Sequence, residues 1–464
     1  MGHLVPAVEF AKLLINRHDR LTITVLIITP PSSNPTFNAY THSLTSSLSF
    51  PQRLHFILLP PHPDPTNSHS LHPSIVLDSR IENQKPNVRD AVSKLNSVPD
   101  SPRLAGFVVD VFCTAMIDVA TEFGVPSMVL LTYSAAFLGF KLHTHTLQEQ
   151  ENVDTTAFDS EGLHTEFAIP SFENPVPVSA FPGLSMEKQW TYFFLNQTSR
   201  MKKANAIIVN TFEELEPYAV RSFSKSDIAV YPVGPILSVG ENKTDPLGSE
   251  VMKWLDDQPD SSVLFLCFGS KAYFEDEKQV REIALALEAS GVHFVWSLRK
   301  PAPKGLMNSP SDYSDLRQVL PEGFLERTCE MGRVIGWAPQ AEILAHKAVG
   351  GFVSHCGWNS ILESIYNGVP IATWPLIAEQ HLNAFMLVRE FKLGVEISLD
   401  YGREVGRLVS AERIEKGIRE VMEKESEVRK KVKYTSQLSR RALMEGGSSY
   451  SHLGRLFRDL LNLE

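Results

Sequence analysis

The sequence predicts an α/β protein built as two doubly wound parallel-sheet domains that face each other across a cleft. Three observations lead there. At 464 residues the chain is too long for one core, since single hydrophobic cores stop growing beyond roughly 250–300 residues. Strand-like and helix-like segments alternate in two successive runs, the pattern of right-handed βαβ units. Between the runs lies a polar stretch at 238–247, with Gly240, Asn242, Asp245 and Pro246, that reads as a linker.

The elements follow in order. Helical spacing of Leu4, Val8, Ala11, Leu14 and Ile15 predicts a helix at the very start. Apolar runs at 21–28, 54–59, 105–109, 127–131 and 206–209 predict the first set of strands. The stretch 150–188 is rich in Pro, Asn and Phe, has little periodicity, and reads as a long loop of the kind that carries variable substrate contacts. A boundary falls near Val233-Gly234-Pro235. The second run opens with a strand at 263–268. A helix at 277–288 follows, with Val280, Ile283, Ala284 and Leu287 on one face, then strands at 294–298, 351–354, 370–374 and 395–397. Gly446-Gly447-Ser448-Ser449 ends a long charged helix. The last helix carries Leu453, Leu456, Phe457, Leu460, Leu461 and Leu463, and so apolar a face must dock, the first domain being the expected host. The resulting division is 1–236 with 449–464 returning to it, a linker at 237–250, and a second domain at 251–448.

Composition narrows the function. Hydrophobic content of 43% and charged content of 21% are those of a soluble globular chain. A net charge of −10 argues against a nucleic-acid partner. Cys113, Cys267, Cys329 and Cys356 lie far apart without a CxxC pair, so reduced thiols and a cytoplasmic location are expected. No apolar run approaches the ~20 residues of a membrane span, and the opening Met-Gly-His-Leu-Val-Pro lacks the basic and apolar blocks of a signal peptide.

The chemistry concentrates between Trp337 and Gln380. A strand, Gly-Phe-Val-Ser, ends at His355. Gly357 follows, and a helix begins near Trp358 to Ser360. A helix opening directly after a strand offers free N–H groups and a positive dipole end, which favour phosphate. His355, Asn359 and Ser360 can add side-chain hydrogen bonds there. Glu363, one turn on, can accept from two ribose hydroxyls. Trp337 offers a flat face for a base, and the Ala338 backbone can read its edge. Glu379 and Gln380 follow the Trp374-Pro375 strand end, where open α/β sheets bind ligands, and a carboxylate beside an amide suits adjacent hydroxyls of a hexose. Singly, each residue has an ordinary structural explanation; together, at this spacing, they describe a base–phosphate–sugar site.

The stretch resembles the signature of plant secondary-product UDP-glycosyltransferases, inverting enzymes of the GT-B fold. The likeness extends to Val233-Gly234-Pro235, Phe268-Gly269-Ser270 and Glu445-Gly446-Gly447-Ser448-Ser449, and so spans the chain. It implies that Trp337 stacks on uracil and Ala338 bonds it. Gln340 and Glu363 would hold the ribose. His355, Asn359 and Ser360, at the Gly357 turn, would hold the diphosphate. Trp358, Glu379, Gln380 and Thr132 would hold the sugar, Gln380 pointing to glucose as donor. It implies His3 of Gly2-His3-Leu4 as the catalytic base and Asp110 as the carboxylate that orients it. UDP-glucose would be a substrate, with no cofactor and no metal, and the partners would be that donor and a small hydrophobic acceptor: a flavonoid, another phenolic or a terpenoid. A monomer is expected.

Two departures qualify the likeness. Family members have a strand before Gly-His-Leu that this sequence lacks. A doubly wound sheet without it would leave two strands roughly 10 Å apart, twice the ~4.8 Å ladder spacing, and turnover is then expected to be low. A UDP-sugar-binding protein impaired in catalysis is accordingly the second reading. Ala272 also stands where a glycine is usual, which makes Ser270 a weaker donor contact. A dinucleotide dehydrogenase is a distant third, because neither half carries GxGxxG with its acidic partner.

Overall fold

The computed structural model describes residues 2–30, 35–46, 52–62, 65, 70–99, 102–237, 246–274, 276–302, 310–401 and 408–461. The first domain begins with a helix at Leu4–Arg17, whose buried residues Val8, Phe10, Ala11, Leu14 and Ile15 recur at helical spacing. Its strands are β1 (Ile23–Ile28), β2 (Leu54–Leu59), β3 (Phe107–Asp110), β4 (Ser127–Leu131), a short antiparallel pair β5 (Glu166–Phe167) and β6 (Val176–Pro177), then β7 (Ala206–Val209) and β8 (Ala229–Pro232). The second domain contributes β9 (Val263–Cys267), β10 (His293–Ser297), β11 (Gly332–Ile335), β12 (Val349–Ser354), β13 (Ile371–Thr373) and β14 (Gly394–Glu396). These six form one parallel sheet in the order β11-β10-β9-β12-β13-β14. Its central strands β9 and β12 are buried on both faces, as helices on either side require.

The first domain's sheet comes in two pieces. β1 pairs in parallel with β2, and β3-β4-β7-β8 form a separate four-stranded parallel sheet. The strands next to the break show it. β4 and β7 are buried throughout, whereas Val108 in β3 is 41% exposed and β1 is mostly half-buried. The first helix joins the pieces. Val8 packs with Ile27 and Leu44, and Ala11 and Ile15 with Leu54. Phe10 and Leu14 pack with Met128, Leu130, Ala206 and Ile208.

The terminal helix docks where the sequence expects it. Leu453, Leu456, Phe457 and Leu461 join the same cluster as Phe10 and Leu130, Ser449 donates to the Gly234 carbonyl at 2.5 Å, and Tyr231 donates to Asp459 at 2.8 Å. Leu463 lies outside the described residues, as does 238–245 of the expected linker; the helix Pro246–Asp256 takes up the rest of it. The stretch 150–188 is more ordered than a loop. Phe158, Phe172 and Phe181 are buried in it, and Phe158, Phe167 and Phe181 pack ring against ring. Among the described residues no helix is long and apolar enough to cross a membrane.

Candidate active site

The helix Trp358–Tyr366 starts directly after β12, with Gly357 at its N-cap. Its first N–H groups therefore stand free at a positive dipole end. The turn is tighter than the sequence suggests. The left-handed residue is Cys356, at φ 63°, not Gly357. Glycine is needed at 357 for another reason: a Cβ there would lie 2.6 Å from His355 Nε2. A Cβ on Gly269, after β9, would meet the same nitrogen at 2.6 Å, and Gly269 itself sits at φ +77°. Two glycines thus form the slot that holds the imidazole of His355. Burial pushes the His355 pKa down to about 4, against a smaller pull from the Cys267 carbonyl, so the ring is neutral. Among the described residues its buried Nδ1 has no partner. The positive φ of this turn falls on Gly269 and not on Ala272, which is buried, so the Ala272 departure costs the loop nothing. Ser270 beside it is exposed.

The nucleoside end is equally defined. Trp337 is 40% exposed while Ala338 is buried, so an indole face stands open above a fixed backbone. Gln340 donates to Glu363 at 2.7 Å and to Ser360 at 2.9 Å. Burial raises the Glu363 pKa, countered by the Gln340 bond. Replacing Trp337 by alanine is expected to weaken UDP binding by roughly tenfold, since base–aromatic stacking contributes about 1–3 kcal/mol; titration calorimetry with UDP measures it, and unchanged affinity would remove the stacking role.

At the sugar end, Gln380 opens a helix (Gln380–Phe385). Its Oε1 accepts from Leu376 N at 3.0 Å and Ile377 N at 2.9 Å. The carboxamide is locked by its oxygen, and its NH2 remains for a ligand. Glu379 follows Ala378, a strained left-handed residue at φ 56°. Trp358 differs from the expected sugar contact. Its indole is buried and donates to the Asn210 carbonyl at 2.7 Å, so what it offers a ligand is its backbone N–H at the helix mouth.

The first domain brings the base. His3 Nδ1 lies 2.8 Å from Asp110 Oδ2 and 3.3 Å from Thr132 Oγ1. Asp110 ends β3 and uses its other oxygen to cap the next turn, accepting from Phe112 N at 3.0 Å. One carboxylate thus fixes the backbone and orients the imidazole, which leaves Nε2 free. Desolvation lowers the His3 pKa, but the charge and hydrogen bond of Asp110, with Glu379 beyond, outweigh it and hold the pKa above 6.5. Thr132 touches the base, a contact not foreseen for it.

The two halves are tied directly. Asn359 Nδ2 donates to the Gly2 carbonyl at 3.1 Å. Asn210, fully buried at the end of β7, donates to Asn359 Oδ1 at 3.4 Å and to the Ile236 carbonyl at 3.3 Å, and accepts from Ile236 N at 2.6 Å. The sequence did not single out Asn210: an asparagine after a strand carries no local sign of a partner 149 positions away. Gly269 as a wall of the His355 slot was likewise invisible.

Comparison with known proteins accords with this geometry. The family model for UDP-glucoronosyl and UDP-glucosyl transferases matches residues 194–439. A UDP-glucose flavonoid 3-O-glucosyltransferase of Fragaria ananassa is 51% identical, over 98% of this chain and 95% of its own. An anthocyanidin 3-O-glucosyltransferase of Manihot esculenta is also 51% identical, over 99% and 100%. Among solved structures, a glycosyltransferase of Siraitia grosvenorii in complex with UDP superposes with a TM-score of 0.87 at 47% identity, covering 99% of this chain and 97% of that one. A Medicago truncatula enzyme complexed with UDP-glucose gives 0.86 at 39%, covering 99% and 96%. Two Rossmann-like domains around a nucleotide-sugar site define a GT-B glycosyltransferase. The chain belongs to the family 1 UDP-dependent glycosyltransferases.

Proposed function

We propose that the chain transfers glucose from UDP-glucose, with inversion, to a hydroxyl of a small aromatic acceptor, working as a cytosolic monomer. The observation that carries this is the His3–Asp110 pair, which feels the charge of Glu379 and is tied to the donor helix through the Gly2 carbonyl and Asn359. In this scheme the free Nε2 of His3 takes the acceptor's hydroxyl proton, and the oxygen attacks the anomeric carbon as the bond from that carbon to the diphosphate oxygen breaks. UDP departs with the electron pair on the opposite face. The helix mouth at Gly357–Ser360 and the neutral His355 stabilise the charge that develops on it. Uracil lies on Trp337, and the ribose on Gln340 and Glu363. The glucose hydroxyls meet Glu379 and Gln380, with Thr132 and Ser270 at the edges of the site. Ring contacts support an aromatic acceptor, since Phe112 meets His3 edge-on at 4.7 Å and stacks on Phe193 at 6.2 Å. The flavonoid and anthocyanidin relatives favour the same class.

A screen of UDP-glucose and UDP-galactose against flavonoids, simpler phenols and terpenoid alcohols, read by mass spectrometry, tests this. Glucosides from the phenols are expected. UDP binding with no glycoside from any acceptor would favour the binding-only alternative.

The raised His3 pKa sets the pH dependence. Only the neutral imidazole accepts a proton, so kcat/KM falls as pH drops through the pKa, and the acid limb is expected above pH 6.5. Asp110→Asn removes the largest raising influence. It should move that limb to lower pH and lower the plateau, as loss of an orienting carboxylate does elsewhere by about 10⁴-fold. A pH–rate profile decides; a limb that stays in place would separate Asp110 from the base.

A further inference from the structure

Lys141 lies in the helix Ala135–Glu149, and no step of the proposed reaction uses it. The helix is held firmly at its start. Glu216 accepts from Ala135 N and Ala136 N at 2.9 Å, and Ser134 accepts from Phe137 N at 3.0 Å. Two turns on, Lys141 is buried, only 6% exposed. Its ammonium donates to Gln197 Oε1 and lies 5.6 Å from the Tyr133 ring centroid and 5.2 Å from that of Phe194. Among the described residues no carboxylate pairs with it. Burial pushes its pKa down to about 7, opposed by the more distant Glu379.

Gln197 adds an independent sign. It is 4% exposed, and its buried Nε2 has no partner among the described residues. An unpaired buried donor costs about 1–3 kcal/mol, and an unpaired buried cation costs more. Both groups belong to the acceptor side of the reaction centre. Aromatic rings lead to them from His3: Phe112 at 4.7 Å, Phe193 stacked on it at 6.2 Å, and Phe194 at 5.5 Å from Phe193. Trp190, half-buried like Phe194, stacks on it at 5.9 Å. Glu379, at the sugar site, acts electrostatically on both His3 and Lys141.

We propose that Lys141 and Gln197 form the far end of the acceptor pocket and select aromatic acceptors that carry a carboxylate away from the reacting hydroxyl. A carboxylate has two oxygens for two convergent donors, and a charge-assisted pair is about twice as strong as a neutral one. It would also supply the counter-ion that the protein withholds from Lys141. The inference rests on the glucosyl-transfer reading for the acceptor's place, but binding tests it without turnover.

The experiment is titration calorimetry on the UDP-loaded enzyme with 4-hydroxycinnamic acid and with its methyl ester. The wild type should bind the acid at least tenfold more tightly than the ester. Lys141→Met should bring that ratio close to one by weakening the acid alone, with UDP affinity unchanged. Gln197→Glu should do the same by placing a built-in carboxylate beside Lys141, and it gives the answer if the methionine variant fails to bind UDP. A wild-type ratio near one, or a ratio unaltered in the soluble UDP-binding variants, overturns the proposal. Acid selectivity without glucoside from either compound would instead count against the transfer reading.

Discussion

Alanine in place of His3 is expected to lower acceptor glucosylation by about 10²- to 10⁴-fold, the usual contribution of a positioned general base. UDP affinity should be unchanged. Nδ1 is held by Asp110 at 2.8 Å and the ring is buttressed by Phe112 at 4.7 Å, so Nε2 has one orientation to offer. The ring side chain is 40% exposed, which leaves it open to an acceptor. Among the described residues the donor helix meets this end of the chain at the backbone carbonyl of Gly2, which Asn359 reaches, and not at the imidazole. Steady-state rates with calorimetric UDP titration separate the two effects. Undiminished transfer by His3→Ala would remove the residue from catalysis, and a parallel fall in UDP affinity would make its role structural.

Gly269→Ala carries the second large effect, on the donor. A left-handed backbone strains an alanine by about 1–2 kcal/mol, and the new methyl would stand 2.6 Å from His355 Nε2, an overpacking that costs typically 1–3 kcal/mol. The easiest relief is for the imidazole to leave its slot. UDP affinity should then fall by roughly 10²-fold, with only a small loss of thermal stability. Gly357→Ala tests the other wall of the slot, where φ is −62° and strain does not enter. Tight UDP binding by both variants would show that His355 plays no part in holding the diphosphate.

The sequence carried the parallel alternation well, because fully buried parallel strands read as continuous apolar runs. β4 and β7, buried throughout, appear at 127–131 and 206–209, the bounds of their apolar runs, and the partly exposed β2 likewise appears at 54–59. β8 and β11 did not. Ala229–Pro232 is short and ends in proline, and Gly332–Ile335 opens on glycine with an arginine next, so neither shows the pattern of a buried strand. The donor residues were legible because one strand–turn–helix unit places most of them within a short span. The base site was not legible from the residues, since 107 positions separate His3 from Asp110; only the family likeness joined them. The Trp358 side chain shows a different limit. An aromatic side chain beside a site invites a ligand role, yet this indole is buried in the protein's own core. Long-range polar partners such as Asn210, and space kept empty by glycine, leave no periodic trace.

Asn359 has a consequence of its own. The side chain grows from the helix proposed to hold the diphosphate, and the same amide holds the Gly2 carbonyl, one residue before His3. Donor occupancy and placement of the base therefore share a single group. Thermodynamic reciprocity requires that if an occupied donor site steadies Asn359 and with it the Gly2 backbone, a well-seated Gly2 backbone tightens the donor by the same factor, whatever side chain stands at position 3. Any such coupling would pass through the backbone that carries the base and not through the imidazole itself.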